Sequence, residues 1–557
     1  MHGRIKTITT AEQNEAKRLE REKKVKAYKN AMKIVSQKRL DKVYDQEALD
    51  IISGLLLANP DIITLWNYRR EIYLNWKKEH ESETFQKIVE KDLSFTEQCL
   101  RVNPKSYGTW HHRIWILDNL PEPNWKKELV LCTRYLELDE RNFHCWDYRK
   151  IVTQRSNVPD HSEYEYTLEK IKANFSNYSA WHLRSKLLPI IFPDHENKLP
   201  ITEEKHKEEL ELVQSAAFTD PNDQSAWFYQ QWLLGMTEPK IHFVAFQIKD
   251  NQIIVALSKN IKQDDSLKLL PKIYIEINGA VPSGKWSSSN RQRQSSVWIF
   301  NFDLELKNDA EISLKLLGEE EFDSAVLRPN CNKIFKPKFV PSFSKSLIDV
   351  LKEQLSSCEE LLEMEPDSKW TLLTSILLKK SIDLNRYQND IIRDVKKLIE
   401  VDPLRQGYYE HFLSKLKLEL ALIEFSNNDA NDPLICNLSN MSISCLYHMQ
   451  YLVLLETVDL SGNNIIGESL SNLHCLQNCK VLNLNNNKIE SLKYLPVLPK
   501  LKVLRLDNNL LDNLDVEALK RMVNLKKLTL ENNPVVKKEE NWKIIEKSLG
   551  ELSLGDV

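Results

Sequence analysis

The chain is 557 residues long, enough for three or four domains that each bury a core of their own. Its 42% hydrophobic and 28% charged residues fit a globular protein, and 77 basic against 80 acidic side chains leave a net charge of −3. That near-balance argues against a chain built for bulk binding to nucleic acid or to a membrane surface.

Nine cysteines without a CxxC pair suggest reduced thiols rather than a disulfide framework. No apolar stretch reaches the roughly 18 residues of a membrane span. The opening MHGRIKTITTAEQNEAKRLEREKK lacks the apolar centre of a secretory signal, so the expected compartment is the cytoplasm.

One phrase then recurs: NPDIITLWNYRR (59–70), NPKSYGTWHHRI (103–114), DERNFHCWDYRK (139–150), NFSNYSAWHLRS (174–185) and DPNDQSAWFYQQ (220–231), with a weaker copy at 365–375. The tryptophans Trp66, Trp110, Trp146, Trp181 and Trp227 are 44, 36, 35 and 46 residues apart. The leading Asn or Asp is expected to cap a helix, with Pro in the first turn, where no N–H is needed. Trp falls about two turns in, and Arg69, Arg113, Arg149 and Arg184 follow at i+3 on the same face. An amphipathic segment precedes each copy, so each unit is predicted to be a helical hairpin, and stacked hairpins make a superhelix. The tryptophans fill its core; the arginines, buried beside them, need carboxylate or carbonyl partners and can lock neighbouring repeats.

Residues 239–343 break the pattern with β-type runs, including strict alternation at Trp298, Phe300, Phe302, Leu304 and Leu306. They are predicted to form an inserted Ig-like β-sandwich, with 279–296 (GAVPSGKWSSSNRQRQSS) as loop. Helical repeat resumes over 344–426. After a polar linker, residues 434–557 carry L-x-L-x-x-N repeats whose Asn463, Asn487, Asn509 and Asn533 lie 24, 22 and 24 residues apart, a leucine-rich repeat. The polar linker suggests that this segment is separable. The fold class is therefore multidomain and mainly α, with 1–238 as the main helical-repeat domain.

There is no Walker loop, GxSxG, HExxH or Rossmann fingerprint. His111 and His112 are adjacent, so on a helix they diverge and serve packing or hydrogen bonding rather than a shared metal. Two cations stand out. Lys105 and Arg141 occupy equivalent places in neighbouring repeats, where the other copies carry acidic or small polar residues. Either they are solvated surface residues, or they perch a phosphate or diphosphate beside two helix N-termini. On this chemistry the chain is no complete enzyme; it is a scaffold with the edge of a site.

Tandem hairpins built on P-x-x-Y-x-x-W-x-x-R resemble the α-subunits of protein prenyltransferases, most strongly over 1–238. The added sandwich and leucine-rich repeats are similar to the branch that modifies Rab GTPases. The resemblance implies a heterodimer whose β-subunit, an α-α barrel, holds the catalytic zinc and most of the isoprenoid pocket, with no nucleotide cofactor. It implies transfer of geranylgeranyl from geranylgeranyl diphosphate to C-terminal cysteines of Rab GTPases presented by Rab escort protein. By the same resemblance Lys105 approaches the diphosphate, with Arg141 beside it. Tyr107, Asn142, Phe143 and His144 match positions at the subunit interface and substrate mouth, Phe143 replacing a Tyr of the farnesyltransferases. The opening Met-His-Gly-Arg matches a segment whose His2 would ligate the partner's zinc. Two other readings are a non-enzymatic repeat scaffold and the α-subunit shared by farnesyltransferase and geranylgeranyltransferase type I; the sandwich and leucine-rich repeats argue against the latter.

Overall fold

A computed structural model of the chain describes residues 11–194, 201–234, 241–249, 251–262, 273–303, 307, 310–317, 321–329, 332–339, 343–427, 434–537 and 553–554. The chain divides into two compact units, Met1–His195 and Glu196–Val557.

The first unit is helical: α1 (Ala11–Leu40), then four hairpins, α2 (Gln46–Ala58) with α3 (Ile63–Glu79), α4 (Ser82–Val102) with α5 (Tyr107–Asn119), α6 (Trp125–Leu138) with α7 (Phe143–Arg155), and α8 (Asp160–Ala173) with α9 (Tyr178–Ile191). The repeated Asn or Asp does not start the second helix of each hairpin, contrary to the sequence expectation. Asn59, Asn103, Asp139 and Asn174 end the first helix as its C-cap. Their side-chain oxygens accept the N–H of the residue two further on, 2.9–3.3 Å away. This is an Asx turn, which uses the same residue types as an N-cap. The true N-caps lie three residues later, and Ser106, Asn142 and Asn177 accept helix N–H groups there. Lys105 and Arg141 are thus the residues just before the cap, not members of the first turn.

The turns are tied together by shared carbonyls. The indoles of Trp66, Trp110 and Trp146 donate to Pro60 O (2.8 Å), Pro104 O (2.9 Å) and Glu140 O (2.8 Å). The same oxygens accept from the next repeat's N-cap: Ser106 Oγ to Pro60 O (3.0 Å), Asn142 Nδ2 to Pro104 O (3.1 Å), Asn177 Nδ2 to Glu140 O (3.0 Å). The i+3 arginines complete the lock. Arg69 pairs with Asp92 of the following helix, Arg113 with Glu128 (2.6 and 2.8 Å) and Arg149 with Glu163 (2.8 and 2.6 Å), all buried.

The second unit opens with a fifth hairpin, α10 (Glu203–Thr219) and α11 (Gln224–Leu233). Eight strands follow: β1 (Phe243–Lys249), β2 (Gln252–Lys262), β3 (Ile273–Ile277), β4 (Gly284–Ser288), β5 (Gln294–Phe302), β6 (Ile312–Leu317), β7 (Glu321–Leu327) and β8 (Asn332–Ile334). They form antiparallel sheets of order β4-β5-β2-β1-β8 and β3-β6-β7. Phe246, Ile253, Val255, Trp298 and Phe300 of the larger sheet share a core with Ile275 and Leu314 of the smaller. Part of the segment read as loop is strand: β4 pairs with β5, and its Trp286 enters this core. Leu304 and Leu306 lie outside the described residues.

Helix returns as α12 (Lys345–Met364), α13 (Lys369–Val401, kinked at Asp383) and α14 (Gln406–Asn427). Gln230 of α11, which stands where the first four copies carry Arg, donates to Gln354 Oε1 of α12 at 2.5 Å. A neutral amide pair therefore spans the inserted strands where an ion pair joins the earlier repeats.

Strands β9 (Ile435–Asn437), β10 (Thr457–Asp459), β11 (Val481–Asn483), β12 (Val503–Arg505), β13 (Lys527–Thr529) and β14 (Ser553–Leu554) form a parallel sheet, with one short helix, α15 (Val516–Lys520), between β12 and β13. The aligned asparagines are buried and bind backbone: Asn487 accepts from Ile465 N (3.0 Å) and donates to Leu460 O and Leu484 O (both 3.0 Å). This segment does not pack alone. Val244, Ile254 and Val297, on the outer face of the larger sandwich sheet, and Leu418 and Leu422 of α14 join its leucines in one core. The polar linker hid that dependence from sequence reading, because the apolar partners lie on other elements.

Candidate functional site

The exposed edge of the first unit gathers at the turns before α5 and α7. Each turn presents a cation, a buried cap and an aromatic residue: Lys105-Ser106-Tyr107 and Arg141-Asn142-Phe143. Tyr107 and Phe143 are large yet 59% and 49% exposed, and their rings lie 6.3 Å apart. His144 fills the space beneath them, 7% exposed, 4.3 Å edge-on from Tyr107 and 3.9 Å from Phe143. Burial, and then the positive charge of Lys105, hold the His144 imidazole below its ordinary range, against the opposing pull of Asp147 and Asp61. It is neutral at pH 7.

Lys105 and Arg141 are exposed, and among the described residues neither side chain has an ion-pair partner. Asp61, at the equivalent turn one repeat earlier, is engaged by Asn103 Nδ2 at 3.0 Å. Gly108 explains how closely this turn sits on its neighbour. A Cβ there would stand 2.8 Å from Trp66 Cδ1 and 3.3 Å from Pro60 O, so any side chain would push α5 away.

The sequence-predicted residues separate into two groups. Lys105, Tyr107, Phe143 and His144 come together, and Arg141 occupies the turn equivalent to that of Lys105. Asn142 has both ends of its amide committed to scaffold, accepting from His144 N (3.1 Å) and Cys145 N (3.4 Å) while donating to Pro104 O. His2 lies outside the described residues.

His111 is exposed, whereas His112 is fully buried with Nε2 2.8 Å from Asp92 Oδ2. Burial alone would push the Asp92 carboxyl up, but Arg69 and His112 hold it well below the usual carboxylate range. This Arg69–Asp92–His112 cluster was invisible in the sequence, because Asp92 sits 23 residues from one partner and 20 from the other. Among the described residues no three His, Cys, Asp or Glu side chains form a group able to hold a metal ion, so these residues do not fit a zinc site.

The sequence matches the protein prenyltransferase alpha subunit repeat at residues 45–76, 89–120, 125–156, 160–190 and 206–237, and a leucine-rich repeat at 450–557. It is 39% identical to pig (Sus scrofa) geranylgeranyl transferase type-2 subunit alpha over 509 residues, covering 88% of each chain. The protein of that name from rat (Rattus norvegicus) is 40% identical, with 86% of each chain covered. The one from Saccharomyces cerevisiae is 36% identical over 242 residues, 42% of this chain and 72% of the yeast protein. Likeness at this level, running through nearly nine-tenths of both sequences, establishes that the chain belongs to the geranylgeranyl transferase type-2 alpha-subunit family of protein prenyltransferases.

Proposed function

We propose that the chain works as the α-subunit of a heterodimeric Rab geranylgeranyltransferase in the cytoplasm. The β-subunit completes the active site, geranylgeranyl diphosphate donates the lipid, and Rab GTPases presented by Rab escort protein receive it on C-terminal cysteines. The observation that carries this reading is the pair of uncommitted cations, Lys105 and Arg141, at equivalent turns beside a half-exposed aromatic cluster. Nearly every other charged side chain that anchors the repeats is buried in a pair.

Transfer moves negative charge onto the departing diphosphate. A lysine on a flexible stem, held by no carboxylate among the described residues and standing just before a helix N-terminus, favours that charge more than it favours the ground state. Arg141 adds a second, forked donor for phosphate oxygens. Tyr107 and Phe143 offer apolar rings to the partner subunit or the lipid, and the neutral His144 supports them without adding charge. Zinc held by the β-subunit would supply activation of the acceptor thiol, and His2 is the residue of this chain proposed as a further ligand to it in the resting enzyme. Asn142 acts through Lys105, fixing the turn that carries it.

Single-turnover transfer by the purified heterodimer tests this. Lys105→Ala should slow the chemical step roughly tenfold to a thousandfold with Rab binding retained, and Lys105→Arg should recover part of the loss. An unchanged rate in Lys105→Ala would make Lys105 a solvated surface residue.

A further inference from the structure

In the second unit, a cleft of about 880 Å³ opens between the β-sandwich and the leucine-rich repeats. Its floor is the outer face of β2 and β5, and its walls are the β4–β5 turn and the leucine-rich loops that carry Lys493, Lys500 and Arg521. From this cleft we infer that the protein docks an acidic segment of another protein.

The charge pattern carries the inference. Twenty-two described residues line the cleft, including Arg291, Lys493, Lys500 and Arg521, and none of these is Asp or Glu. With 80 acidic residues in 557, about three would be expected among 22. Among the described residues, Arg291, Lys493 and Arg521 have no ion-pair partner, so their charge is not spent inside the fold. One-signed charge in a concave site focuses its field on an incoming anion.

The walls are fixed to one another. Ser289, in the β4–β5 turn, lies 2.7 Å from His474 Nδ1 in the leucine-rich segment. Burial pushes the His474 imidazole down to about 4, so it stays a neutral hydrogen-bonding pin. The sheet beneath is continuous with the leucine-rich core through Ile254. The cleft is therefore formed in advance, which lowers the ordering cost of binding.

Its polar lining of serine, asparagine and glutamine suits an extended backbone with carboxylates. Among the described residues lining it, Tyr494 is the one Phe, Tyr or Trp, and His474 is held against Ser289, too few rings for the stacking that single-stranded nucleic acid requires.

The test measures anisotropy of a fluorescein-labelled (Glu-Ser)6 peptide with the full-length chain. We expect saturable, salt-sensitive binding that falls at least tenfold in the exposed triple variant Arg291→Glu/Lys493→Glu/Arg521→Glu. The milder pair Lys493→Ala/Arg521→Ala should weaken binding threefold or more. Photo-crosslinks from the peptide should map to residues 287–292 and 493–500. Four results would each overturn the inference: binding unchanged within twofold in the triple variant, equal binding of (Gln-Ser)6, tighter binding of an oligothymidine of equal charge, or complete displacement by 10 mM inorganic phosphate.

Discussion

Asn142 offers a graded test of whether the turn before α7 is scaffold or reacting surface. Its side chain caps α7 through His144 N and Cys145 N and donates to Pro104 O. Ala removes both functions. Losing the cap costs about 1 kcal/mol, within a range of roughly 0.5–2. Losing the second hydrogen bond costs about 0.5–1.5 kcal/mol. Pro104 O keeps the Trp110 indole, so no orphaned acceptor adds to the loss. The sum is about 2 kcal/mol. Ser is the informative replacement, because Ser106 performs both functions one repeat earlier, accepting from Thr109 N and donating to Pro60 O. Asn142→Ser should therefore retain most of the stability, within about 0.5 kcal/mol of the native chain. Asp can cap but cannot donate when ionised, so Asn142→Asp should fall between. Urea denaturation followed by helical ellipticity ranks the three, and transfer by the Ser variant should match the parent. If Ser is as damaging as Ala, or if Ser keeps stability while transfer collapses, the scaffold assignment of Asn142 fails.

Three further outcomes follow from the geometry. Arg149→Met should destabilise the first unit by about 3–5 kcal/mol by leaving Glu163 buried and unpaired; adding Glu163→Leu should recover much of it, and a denaturation cycle that is additive would refute a coupled pair. Burial holds His112 below its ordinary range in spite of Asp92, so it contributes stability that is complete above the unfolded value near pH 6.5 and is lost as pH falls. His112→Gln should accordingly flatten the fall of stability as pH drops below about 6.5, and an unchanged slope would assign it to other histidines that burial depresses, among them His144, His182, His206 and His474. Deleting 434–557 should expose the outer sheet face at Val244, Ile254 and Val297 and cause aggregation; a monodisperse truncated chain would show that the shared core is dispensable.

The tryptophan spacing made the helical hairpins legible, and the aligned asparagines did the same for the leucine-rich segment, since both patterns are periodic. The helix starts were misplaced because Asn or Asp, with Pro after it in three of the five copies, satisfies the rules for an N-cap and for an Asx turn equally well. Only the backbone shows which helix the residue belongs to. The acids that answer the arginines were not legible. They stand 23, 15 and 14 residues away, each on the next helix of the chain and at no fixed interval. Strand β4 was read as loop because an edge strand with a single buried residue, Trp286, has too little alternation to register. Lys105 could be singled out by its departure from the other copies. Its lack of a partner, and the ring cluster beside it, required coordinates.

The shared turn carbonyls have a consequence for how such a chain can change over descent. A carbonyl has two lone pairs, and at Pro60, Pro104 and Glu140 both are taken, one by the turn's own tryptophan and one by the cap of the next repeat. The interval from carbonyl to tryptophan is six residues each time, and it is six again at Phe175 with Trp181 and at Pro221 with Trp227. The distance between tryptophans, by contrast, varies from 35 to 46. Insertions and deletions are thus absorbed in the first helix of a hairpin or in the loop after the second, where no carbonyl is counting donors. Whole repeats can be gained or lost; a fraction of one would leave an acceptor without its match. The large insertion after α11 falls in a stretch where the count is suspended.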